Sequence, residues 1–148
     1  MRIGWMVGVV AAAEEQLAEQ LLDVGRRHAD DPEIFHTANR LAELSARNGR
    51  ALLPFARQYG LPAQPAEPPI APPSDGDDPH VGLLRDLRHL HVLAAGVVLD
   101  WTALGQGAGA ARDAELSAAV THAQTQTTRT VKWTTTMLKT GAPQALTS

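Results

Sequence analysis

Apolar residues recur near the start of the chain at Ile3, Val7, Val10, Leu17, Leu21 and Val24. Steps of three, four and seven residues keep one face of a helix apolar and predict a helix from about Ile3 to His28. Asp31-Pro32-Glu33 follows as a start signal. Asp31 suits the N-cap, Pro32 the first helical position, and Glu33 the positive end of the helix dipole. A second stripe then runs through Ile34, Ala38, Leu41, Ser45, Leu52 and Phe55. Asn48-Gly49 and Pro54 interrupt it, which predicts a kink or a break into a short continuation ending near Tyr59. Seven of the ten prolines lie between Gly60 and Pro79. Proline fixes φ and lacks an amide donor, so this stretch predicts an extended polyproline II linker.

Asp78-Pro79 repeats the start signal. A third stripe carries Leu84, Leu87, His91, Ala94, Val98 and Trp101, and Gly105, Gly107 and Gly109 predict the turn after it. Their GxGxG spacing follows no strand, which argues against a phosphate loop. The fourth helix is expected to start near Arg112 or Asp113. Its stripe is Leu116, Val120, Ala123, Thr127, Thr130 or Val131, Thr134, and Met137 or Leu138; Gly141 and Pro143 predict its end.

Each helix of about 25 residues measures roughly 38 Å. Short joins make the first pair antiparallel, and likewise the second. The predicted fold is therefore an all-α, antiparallel four-helix bundle in one domain, residues 1–148. Residues 1–59 form the first hairpin, 60–79 the Pro-rich crossover, 80–140 the second hairpin and 141–148 a tail. At about 3.1 Å per residue the linker reaches roughly 60 Å, enough to cross the bundle and start the third helix beside the start of the second. The competing topology is up-down-up-down, with the linker looped out.

Composition narrows the function. Hydrophobic residues make up 44% of the chain and aromatic ones only 4%, so the core is built from Leu, Val and Ala. A net charge of -3 without a basic stripe argues against nucleic acid. The absence of Cys excludes disulfides, thiolate metal sites and Cys nucleophiles. Trp5–Ala13 is too short to span a bilayer and runs straight into Glu14 and Glu15, so no membrane partner is expected. Its other reading is a signal-peptide core with Ala11-Ala12-Ala13 as the small-residue site; the helical pattern through the same residues favours a cytoplasmic protein.

Polar residues on the inner stripes carry the candidate chemistry. Glu14 lies between Val10 and Leu17, and His91 between Leu87 and Ala94; Ser45, Asn48 and Thr127 are also inner. Glu14 is 14 residues before His28, Ser45 is 14 after Asp31, His91 is 11 after His80, and Thr127 is 13 before Thr140. With a crossover these residues share one mid-bundle layer, where Glu14 and His91 are expected to meet. They would form a hydrogen-bonded core pair or a small-ligand or metal site.

A second group gathers where the first helix ends and the second and third begin: His28, His36, His80, His89 and His91, with Asp30, Asp31, Glu33 and Asp86. Glu33-x-x-His36 and Asp86-x-x-His89 each put two ligand types on one helix face, a spacing that suits a divalent metal ion. The other reading is solvated helix ends with first-turn acids placed for the dipole. The threonines from Thr125 to Thr136 have no base nearby in sequence, and Arg129, Lys132 and Lys139 make one modest basic face. Trp133 is expected on a flank, covered by the tail or by a second subunit.

Two hairpins, a long middle crossover and an inward Glu14 midway along the first helix resemble the ferritin-like superfamily. That resemblance implies a di-iron site with a Glu from each of two helices and Glu-x-x-His from each of the other two. Glu14 matches one position. The third helix offers His91 or Asp100, the fourth Gln126-x-x-Arg129, and Glu33 and His36 lie in a first turn rather than mid-bundle. The resemblance thus implies a degenerate metal site and no cofactor. The function expected is non-catalytic: a bundle acting through self-association, as a homodimer, or through a protein partner. The alternative is a protein binding a small ligand or a divalent metal ion through Glu14, His91, Glu33, His36, Asp86 or His89.

Overall fold

The computed structural model describes residues 2–60 and 78–148. Among these residues the chain is all-helical and contains no strand. The elements are α1 (Ile3–Arg27), α2 (Pro32–Arg50), α3 (Leu53–Gln58), α4 (Pro79–Ala110) and α5 (Ala114–Thr147), with α3 a short continuation of α2. Apart from Gly60, Asp78 and Pro79, the Pro-rich linker expected over 60–79 lies outside the described residues.

Local chemistry explains most boundaries. The Asp31 carboxylate accepts from the Glu33 and Ile34 amides, and Asp78 accepts from the His80 amide, with proline next in both helices. Asp113 caps α5 by accepting from the Leu116 amide. The second helix breaks at Ala51 and Leu52, and Pro54 supplies the reason. It has no N–H for the Arg50 carbonyl four residues back, and its ring crowds that carbonyl.

Two boundaries differ from expectation. Gly105, Gly107 and Gly109 do not form the turn: α4 continues through them to Ala110. The turn is made by Ala111, Arg112 and Asp113, with Arg112 at a φ of 57°. Helical glycine costs about 1 kcal/mol relative to alanine, so helix packing must compensate. A Cβ on Gly105 would sit 3.1 Å from Val120 Cγ1 of α5, and one on Gly107 would sit 3.7 Å from Ile3 of α1. Gly105 lets α4 and α5 approach closely, whereas a side chain on Gly107 would make an ordinary contact with Ile3. Nor does α5 stop at Gly141 and Pro143; it runs to Thr147, so residues 141–147 belong to the helix rather than to a separate tail. Pro143 deprives only the Lys139 carbonyl of a partner, and the Thr147 and Ser148 hydroxyls bond back to the Pro143 and Gln144 carbonyls.

α1 packs against α2 and α4, α5 packs against α4 and α2, and α3 leans on α1. A Cβ on Gly25 would lie 3.5 Å from Ala38 Cβ near the α1–α2 turn, and one on Gly49 would lie 3.5 Å from the Ala11 carbonyl far from it. The shared core includes Val7, Val10, Leu17, Leu21, Val24, Leu41, Leu52, Leu90, Ala94, Trp101, Leu104 and Leu116. On α4 the buried valine is Val97 rather than Val98, and Leu90, Leu104 and Ala108 extend the buried stripe.

Candidate functional site

Glu14 is fully buried. It projects from the middle of α1 into a polar layer supplied by every long helix. Trp101 of α4 donates its indole N–H to Glu14 Oε1 at 2.9 Å. The Thr127 hydroxyl of α5 donates to the same oxygen. Asn48 of α2 donates through Nδ2 to Thr127 Oγ1 at 3.2 Å and to the Ala123 carbonyl at 3.4 Å. Ser45, also on α2, stands beside the carboxyl. Burial pushes the Glu14 carboxyl above its ordinary range, and the hydrogen bonds from Thr127 and Trp101 and the dipoles of Ser45 and Asn48 oppose it only partly. Neither Ser45 nor Asn48 completes a hydrogen bond to Oε2, which is buried without a partner.

The expected layer of Glu14, Ser45, Asn48 and Thr127 is therefore present, with one correction. His91 is not in it, and the Glu14–His91 pair does not form. The α4 member is Trp101, read from the sequence only as an apolar inner residue. A signal was available: a buried indole needs an acceptor, and Glu14 was the one carboxylate on an inner stripe. His91 lies further toward the start of α4, with Nδ1 3.0 Å from Thr134 Oγ1 and 3.4 Å from Thr135 Oγ1 of α5.

The histidine-rich end is organised around Asp86. Arg27 reaches its carboxylate through Nε at 3.2 Å and a terminal nitrogen at 3.0 Å, and His28 Nε2 lies 2.6 Å from Oδ2. Burial alone would raise the Asp86 carboxyl. The hydrogen bonds from His28 and Arg27, with the guanidinium charge, outweigh it and hold Asp86 below the usual carboxylate range. His89 turns away toward α1, with Nε2 3.0 Å from Gln20 Oε1; its burial there lowers its pKa. His36 lies edge-on to Phe35, and Glu33 and His80 are exposed. Asp86 and His89 thus look to different partners, and Glu33 and His36 gather no third ligand.

At the other end, the Tyr59 hydroxyl donates to Asp113 Oδ2 at 2.6 Å and Gln58 donates to it at 3.2 Å. The Tyr59 bond lowers the Asp113 carboxyl and raises the tyrosine. On the flank of α5, Trp133 packs against the core with its indole nitrogen buried and unpartnered.

The donor set does not fit a di-iron centre. Around Glu14 stand an indole N–H, which has no lone pair to give, two hydroxyls and an amide; a second carboxylate and an imidazole are missing. Among the described residues no three His, Asp or Glu side chains converge as metal ligands. No helix among the described residues is long and apolar enough to cross a membrane. No protein family, curated protein or solved structure matches the chain.

Proposed function

We propose that this chain is a ferritin-like four-helix bundle that has exchanged a metal centre for a structural hydrogen-bonded layer and acts, without catalysis, as a homodimer. In this reading two antiparallel hairpins are joined by a crossover. The end contacts support that topology. Arg27 and His28 meet Asp86 near the start of α4, whereas Tyr59 meets Asp113 beyond its far end. The 27 residues from Asp86 to Asp113 separate those two points by roughly 40 Å.

The observation that carries self-association is the outer face of α4. Val92 and Leu99 are 51% and 69% exposed. Ala95, Gly96 and Ala103 on the same face are exposed too, at helical spacing. A Cβ on Gly96 would meet nothing within 4 Å. From Leu90 to Ala111 the only ionisable residues are His91 and Asp100. Charge depletion, apolar side chains and a small residue permitting close approach suit the middle of a helix–helix interface. Gly96 lies near the midpoint of α4, so a two-fold axis there matches the stripe with itself along its whole length.

Light scattering on the full chain tests this. The expected mass is that of a dimer, with Leu99→Glu monomeric and Leu22→Glu, on the outer face of α1, still dimeric. A monomeric wild-type protein at tens of micromolar refutes the reading.

A further inference from the structure

A concave pocket of about 230 Å³ opens between α4 and α5, close to the Asp86 end. Its walls are the aliphatic side chains of Leu87 and Leu138, and Arg88 and Lys139 stand at its rim. Neither cation has an ion pair or hydrogen bond among the described residues, and no carboxylate lines the pocket.

The remaining lining is His91, Thr134 and Thr135. Both threonine hydroxyls donate to the Val131 carbonyl, at 2.9 and 3.0 Å. Each hydroxyl oxygen also lies within hydrogen-bond distance of His91 Nδ1, so the imidazole is held against α5 by that edge of the ring. Two cations without an ion pair among the described residues, and an imidazole held by its Nδ1 edge beside aliphatic walls, form an amphipathic site.

We propose that this pocket binds a small amphipathic carboxylate, its headgroup held by Arg88 and Lys139 beside His91 and its hydrocarbon body against Leu87 and Leu138. Size supports the class. A cavity of about 150 Å³ accepts benzene, so this pocket has room for a chain of about six carbons. Guanidinium and ammonium groups recognise a carboxylate by charge-assisted hydrogen bonds, which a neutral alcohol of the same length cannot match.

The test uses hexanoate and 1-hexanol on the full-length protein, followed through the imidazole NMR signals of His91. Hexanoate is expected to shift those signals saturably with a Kd of roughly millimolar or tighter, and hexanol to bind at least about tenfold more weakly. Arg88→Met and Lys139→Met, both at exposed positions, are each expected to weaken hexanoate about three- to tenfold while leaving Tm unchanged. No saturable shift, equal binding of hexanol, or affinity indifferent to both substitutions would overturn the proposal. Because Val92 and Leu99 take no part in the pocket, a monomeric protein that binds hexanoate leaves this site standing.

Discussion

Glu14→Ala will destabilise the fold by about 2–4 kcal/mol, whereas Glu14→Gln will preserve or raise stability at neutral pH. The alanine variant leaves the Trp101 indole N–H and the Thr127 hydroxyl without their acceptor and opens a void in the mid-core layer. Glutamine keeps an oxygen for both donors and carries no charge to desolvate. The pH dependence separates the two effects. Burial raises the Glu14 pKa, so the folded state keeps its proton to higher pH than the unfolded chain does. The stability tied to this group is fully present below the ordinary carboxyl pKa and is lost as pH rises through the raised value. Urea unfolding at a series of pH values should show a wild-type decline on the way from acid to neutral that Glu14→Gln removes. An unchanged midpoint for Glu14→Ala would mean the layer is not the structural unit described.

Asp86 acts with the opposite sign. Its carboxyl is held low, so the stability it contributes is present above the ordinary carboxylate pKa and is lost as pH falls through the depressed value. Asp86→Ala will cost about 1–3 kcal/mol, because it strands the partly buried Arg27 guanidinium and the His28 ring. The loss should also be local. Amide hydrogen exchange should accelerate around Val24–His28 and the first turns of α4 more than around the Glu14 layer. Uniform acceleration, or none, would contradict the picture of Asp86 as the anchor tying the end of α1 to α4.

The stripes of α1 and α2, the break before Pro54 and the Asp31 and Asp78 caps were legible because each rests on local chemistry: periodicity, a missing amide donor, a side chain reaching its own backbone. The mid-core layer was legible by depth, since Glu14, Ser45 and Thr127 lie at similar distances from their helix ends. What local reading misjudged was decided across helices. Gly105 read as part of a turn because a glycine's cost is visible in sequence, while the close approach of Val120 that uses the missing Cβ is not. Pro143 read as a stop because its lost hydrogen bond is local, while the helix around it had little left to lose. His91 was matched with Glu14 because both lay on inner stripes. Depth along α4 was counted from His80, but Asp86 is the residue level with Arg27 and His28, so Trp101, ten residues or roughly 15 Å beyond His91, meets the acid. His28 and Asp86 were read into one group at that end, but as candidate metal ligands; the Arg27 partner and the Tyr59–Asp113 bond were missed because each joins residues more than 50 positions apart.

Those two clusters, with the Glu14 layer between them, have a consequence for the chain as a covalent object. They tie residues 2–60 to residues 78–148 at both ends and in the middle, through side chains that belong to those two segments. Once the chain is cut between the two segments, these contacts alone must hold them together, without the effective concentration a covalent link supplies. A chain nicked by a protease within 61–77 should elute as one species and separate only in denaturant, and its two fragments, mixed from urea, should find each other again.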